Sequence, residues 1–160
     1  MTIARFDHIR EAQFRQDAAH LLNPLPLHEI PLPVRATAGS AGYDFICPAE
    51  VTLAPGESVV IPTGVHAFME PGWVLLIFPR SGLGFKHHLC LANTTGVIDS
   101  DYVNAPNGGH IMVKIVNGSD HAFTLERGER FCQGVFVPYG LAEETAQPGS
   151  RSGGLGSTGR

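Results

Sequence analysis

The chain has 160 residues, 43% hydrophobic and 16% charged, which excludes a disordered polymer and fits one domain with a substantial core. A net charge of -4 gives no general electrostatic reason to bind nucleic acid or an anionic membrane, although local positive charge suffices for a small polyanion. Nineteen glycines and twelve prolines favour many turns between short strands over long helices.

The first residues differ from the rest. DHIREAQFRQDAAHLL (7–22) contains no Gly or Pro, and Phe14, Ala18, Leu21 and Leu22 share one helical face. The spacing predicts a short N-terminal helix with Asp7 as its cap. Charges recur every few residues there, unlike the apolar stretch of a signal peptide. No apolar run is long enough to span a membrane, so a cytoplasmic protein is expected. NPLPLHEIPLPVR (23–35) then carries Pro24, Pro26, Pro31 and Pro33 and reads as an extended connector or edge strand. Residues 1–28 are read as a helical extension and linker.

From Gly39 onward the pattern is β. Residues 50–82 alternate apolar runs with turn signals at Pro55-Gly56 and Pro71-Gly72. Residues 110–140 do the same around Asn117-Gly118 and Arg127-Gly128. An all-β sandwich or barrel is expected, and the absence of alternating helices argues against a parallel α/β sheet. Cys47, Cys90 and Cys132 are widely spaced, form no CxxC pair and are expected as small apolar core residues in a reducing compartment. His87 and His88, if on a strand, point to opposite faces, and no histidine spacing suits a metal site.

Four stretches carry candidate chemistry. PRSGLG (79–84) offers the planar donor fork of Arg80, with Ser81 and glycines for close backbone approach. GVIDSDY (96–102) places Asp99 and Asp101 in or beside a turn; with Tyr102 adjacent, a carboxylate and a ring can hold a water and a sugar. ERGER (126–130), followed by Cys132-Gln133-Gly134, reads on its own as a charged hairpin turn. RSGGLGSTGR (151–160) supplies N–H groups, hydroxyls and positive charge to a phosphate, but no helix follows it and it lacks the Walker Lys-Ser/Thr pair.

Together with AGYD (41–44), the stretches RSGLG (80–84), GVIDSDY (96–102), GERFCQ (128–133) and RSGGLGSTG (151–159) resemble, in order, the five motifs of the trimeric dUTP pyrophosphatase (dUTPase) family. The resemblance runs from about Ala36 to Arg160. It implies an all-β fold, a jelly-roll-like barrel over 29–148, with a mobile Gly-rich arm over 149–160. It also implies a homotrimer with three active sites, each built from all three subunits, that converts dUTP and water to dUMP and pyrophosphate.

Carried over position by position, Asp99 matches the catalytic carboxylate that orients and deprotonates the attacking water. An ordinary aspartate is a weak base, so positioning and charge stabilisation would supply most of the rate. Tyr102 matches the ring that packs on deoxyribose, and Asn93 the position that reads the uracil edge. Arg80, Ser81 and Gly82 match the phosphate-binding turn, Gln133 a contact near the phosphates, and Asp44 an acid near the hydrated metal. Arg151, Leu155, Gly156, Ser157 and Thr158 match the arm that closes over the nucleotide. Mg²⁺ would be held mainly by triphosphate and waters.

The chain departs from the family pattern in two places. Leu155 stands where an aromatic usually stacks on uracil, so a looser lid and a higher KM are expected. VNAPNGG (103–109) replaces a short Arg-Gly turn and is longer and uncharged. A dCTP deaminase would share the fold, but it needs a glutamate near the hairpin, and residues 80–110 contain none.

Overall fold

The structure is a computed structural model that describes residues 2–143 and residue 149. Its strands are short and every pairing is antiparallel. The chain opens with β1 (Ala4–His8), then α1 (Glu11–Asp17), a 3₁₀ turn at Leu27–Glu29, and β2 (Val34–Arg35). Next come β3 (Tyr43–Ile46), β4 (Val51–Leu53), β5 (Ser58–Pro62), β6 (Val65–Met69) and β7 (Trp73–Pro79). A second helix, α2 (Ser81–His87), leads to β8 (Leu89–Leu91), β9 (Gly96–Ile98) and a 3₁₀ turn at Tyr102–Asn104. β10 (Met112–Asn117), β11 (Phe123–Leu125) and β12 (Arg130–Pro138) complete the order.

The largest sheet runs β2-β3-β12-β7-β9, a second runs β5-β10-β8, and the pairs β1-β6 and β4-β11 stand beside them. Phe45, Ile61, Leu75, Ile77, Ile115 and Phe131 from these strands fill one core, all at most 2% exposed. This is the jelly-roll-like β-barrel expected from the turn spacing and the resemblance.

β12 is central, between β3 and β7, and it is irregular. Arg130 pairs with Ile46 and Cys132 with Phe45, so the ladder skips Phe131. Phe131 and Cys132, adjacent in the chain, are therefore both fully buried.

The N-terminus corrects one expectation. Residues 4–8 form a strand, not the start of a helix. Exposure alternates along Ala-Arg-Phe-Asp-His, and Phe6 packs edge-on against Phe45 and Tyr43. The helix begins at Glu11, with Arg10 in the N-cap position and no side-chain cap; Asp7 instead accepts the N–H of His8 at 2.9 Å. Phe14 and Ala18 are buried as the helical spacing requires, but Leu22, beyond the helix, is 83% exposed. Phe14, Ala18, Leu27 and Ile30 form a second apolar cluster with Ile9.

Three further expectations change. RSGLG is not a simple turn: Ser81 to Gly84 open α2 despite the helix cost of two glycines. Leu83 is anchored in the core, and Arg80 O accepts the N–H groups of Leu83 and Gly84. His87 ends α2 and His88 takes the left-handed conformation (φ 49°), so neither lies on a strand. Cys47 and Cys132 are buried, but Cys90 is exposed on β8.

Candidate active site

The sheet order brings three of the singled-out stretches together. Asp44 on β3 pairs with Gln133 on β12, and Gln133 pairs with Phe78 on β7. Two residues past Phe78, Arg80 caps α2. Its Nε lies 3.2 Å from Asp44 Oδ1, while Arg130 Nη1 reaches Asp44 Oδ2 at 3.1 Å. The Asp44 side chain is only 8% exposed, against 35% and 49% for the two arginines. One buried carboxylate thus sets two half-exposed guanidinium groups side by side. Salt screens such exposed pairs, so their main effect here is orientation of cationic forks that match phosphate oxygens.

Asp44, Phe78, Arg80 and Gln133 border a cleft of about 400 Å³ whose lining also includes Ser40, Gly42 and Ser81; Arg130 reaches Asp44 from beside that lining. Gly42 admits the Gln133 side chain, because a Cβ there would collide with Gln133 Oε1. Ser81 and Gly82 occupy the first turn of α2, where backbone N–H groups have no intrahelical acceptor. Arg130 is not among the residues the sequence motifs single out. Its signal was present in GER, but a charged turn explained it equally well.

The remaining candidates fall elsewhere on the chain. Asn93 lies in the turn between β8 and β9, where Thr94 is left-handed (φ 63°) and Thr95 N–H donates to Asn93 O at 2.7 Å. It borders a cavity of about 280 Å³ with Val60, Ala92, Met112 and Lys114, which has no lining residue in common with the cleft. Asp99 is exposed directly after β9, and its carbonyl accepts Tyr102 N–H at 3.1 Å. Tyr102 is 6% exposed. Its hydroxyl donates to His110 O at 3.2 Å and accepts from Asn107 Nδ2 at 3.0 Å. Arg151, Leu155, Gly156, Ser157 and Thr158 lie outside the described residues.

The buried thiols are not nucleophiles. Burial pushes Cys47 up to about 12 and raises Cys132 as well. Among the described residues no cluster of three or more His, Cys, Asp or Glu is placed to hold a metal ion. Both Asp44 oxygens already meet arginines. The donor set therefore suits a cation that arrives with its own oxygen ligands, as Mg²⁺ does on a polyphosphate. No helix among these residues is long and apolar enough to cross a membrane.

An antiparallel barrel whose polar cleft carries Arg80, with Arg130 beside it on the same carboxylate, defines an all-β protein of the jelly-roll class. The chain belongs to the dUTPase family, whose sequence profile matches residues 28–159. It is 45% identical over 133 residues to the deoxyuridine 5'-triphosphate nucleotidohydrolase of Lactococcus lactis, covering 81% of this chain and 89% of the relative. The enzyme of that name from Hahella chejuensis is 45% identical over 140 residues, covering 82% and 89%. The crystal structure of dUTPase from Streptococcus mutans superposes with a TM-score of 0.65 at 45% identity, over 70% of this chain and 88% of that one.

Proposed function

We propose that this protein hydrolyses dUTP to dUMP and pyrophosphate. The observation that carries the reading is the cleft lined by Arg80, Ser81 and Gln133, whose buried Asp44 holds Arg80 and, beside the cleft, Arg130. Relatives at 45% identity bear the name deoxyuridine 5'-triphosphate nucleotidohydrolase, which supports the substrate.

In this reading the cleft holds the phosphate chain. Mg²⁺, bound by triphosphate oxygens and waters, supplies charge neutralisation on the phosphates. Asp99 accepts a proton from water as the water oxygen bonds to the α-phosphorus, and the bond to the bridging oxygen breaks to release pyrophosphate. Asn93 reads the uracil edge, and the Tyr102 ring walls the deoxyribose. The arginine forks oppose charge that grows on the leaving group. The resulting dUMP is the class of product a thymidylate-forming methylation consumes, and removal of dUTP from the triphosphate pool limits uracil in DNA.

The cleft and the Asn93 cavity have separate linings. That separation supports a homotrimer in which one subunit's phosphate cleft works with another's base- and sugar-reading hairpin. The arm carrying Arg151, Leu155, Gly156, Ser157 and Thr158 then closes from a further subunit. Leu155 covers the base without ring stacking, and Leu155→Phe lowers KM.

The test follows pyrophosphate release from dUTP, dCTP, dTTP and UTP with Mg²⁺, for the protein and for Asp99→Asn. Release from dUTP alone, lost in the variant while dUTP still binds, is the expected result. Binding without turnover by the unaltered protein would replace hydrolysis with nucleotide sequestration.

A further inference from the structure

The longer 103–109 loop is joined to the N-terminal helix by one buried histidine. His110 is fully buried. The N–H of Gly64 donates to its Nε2 at 2.9 Å, so Nε2 carries the lone pair and Nδ1 the proton. Nδ1–H donates to Asp17 Oδ2, at the end of α1, at 2.6 Å. The Phe14 ring lies 6.2 Å away, centroid to centroid. Asp17 is itself held by the Gln13 amide at 3.0 and 3.1 Å.

The main chain of the same residue faces the other way. His110 O accepts the Tyr102 hydroxyl at 3.2 Å and the Asn107 amide at 3.2 Å, and Asn107 also donates to the Tyr102 oxygen. The loop between has little freedom. Gly109 N–H donates to Asn107 Oδ1 at 3.1 Å, and Gly108 O accepts from His66 Nδ1 at 2.9 Å. The imidazole thus fixes a backbone carbonyl, and the carbonyl fixes a phenol.

We propose that His110, held by Asp17, is a positioning residue that sets the Tyr102 ring and thereby the discrimination between deoxyribose and ribose. The inference rests on the reading of Tyr102 as the wall against the sugar. A wall excludes a 2′-hydroxyl by steric contact alone, so its selectivity depends on how firmly the ring is held. The Tyr102 hydroxyl is turned inward to partners of its own chain, so its part is to hold the ring.

The test measures kcat and KM of the full-length protein with Mg²⁺ on dUTP and on UTP, for Asp17→Ala, Asp17→Asn and Tyr102→Phe. Rejection of an added hydroxyl by shape reaches about a hundredfold, so loosening the wall lowers the dUTP/UTP ratio of kcat/KM by about tenfold. That loss is expected in Asp17→Ala and in Tyr102→Phe. Asp17→Asn keeps a side-chain oxygen for Nδ1–H and restores most of the ratio. A purely structural role would lower thermal stability and leave the ratio untouched; unchanged ratios in the folded variants overturn the proposal. If Asp17→Ala does not fold, Tyr102→Phe, which leaves the N-terminal helix intact, decides. Equal turnover of dUTP and UTP by the unaltered protein would instead remove the sugar-wall reading of Tyr102, and this inference with it.

Discussion

His110 donates from Nδ1 to Asp17 across 2.6 Å, joining residues ninety-three positions apart in the chain. The bond closes the N-terminal segment onto the barrel where Gly64 and the 103–109 loop meet. Burial lowers the His110 pKa below its ordinary value, against the opposing pull of the Asp17 hydrogen bond. Charging the ring would also displace the Gly64 N–H from Nε2.

Stability therefore depends on pH with a defined sign. Between the ordinary histidine value of about 6.5 and the lower folded one, the unfolded chain binds more protons than the folded one. Stability is full above that range and falls as pH drops through it. His66 adds to the penalty on the charged form, while Asp17 offsets part of it. Thermal melts from about pH 8 down to about pH 5 should show the decline, and His110→Gln should flatten it. An equal slope in both proteins would assign the dependence to other groups.

Gly42→Ala separates activity from stability. The new methyl meets the amide end of Gln133, a flexible group that can swing aside, with Gln133 Cδ at 3.2 Å and Cβ at 3.4 Å. Gly42 is half-buried, and because the amide end can move, the expected stability loss is about 1 kcal/mol or less. If Gln133 contacts the phosphates as proposed, displacing it should lower kcat/KM for dUTP by about tenfold or more. Denaturant titration and pyrophosphate release, run together, check both halves.

Gly109→Ala is the opposite case. Its φ is +76°, and a Cβ would lie 2.6 Å from the Val103 Cα, which is backbone and cannot rotate away. The expected loss is about 3 kcal/mol. Gly56→Ala, with φ +77° but open space around it, isolates the conformational part. Its loss, read from the same denaturant curves, should be about 1 kcal/mol.

Thiol labelling should distinguish the three cysteines. Cys90 is exposed, whereas Cys47 and Cys132 are buried with raised pKa values. One equivalent of a thiol reagent should react rapidly at neutral pH, and the other two only on unfolding. Loss of the fast phase in Cys90→Ser confirms the assignment.

The barrel was legible because its strands announce themselves by apolar runs between Pro-Gly, Asn-Gly and Arg-Gly turns. β1 was not. Its alternation covers five residues and runs into a helical pattern that also lacks Gly and Pro, so the two periods merge. α2 was hidden by its glycines, whose unfavourable helix propensity is outweighed by the buried Leu83. Asp44, Arg80 and Gln133 stand in motifs visible in the sequence, but their convergence on one cleft needs the β3-β12-β7 order. The Asp17–His110 bond was out of reach, since nothing local marks either residue as the other's partner.

The skipped residue in β12 gives that strand two phases. Before Phe131 it is the even-numbered Arg130 that meets Asp44; after it the odd-numbered Gln133 and Val135 line the cleft. In an uninterrupted strand, residues three apart point to opposite faces. A single alternation followed along residues 130–138 would assign either the guanidinium or the amide to the interior. One supernumerary residue lets the same short span deliver a cation and an amide to one side and a phenyl ring to the other.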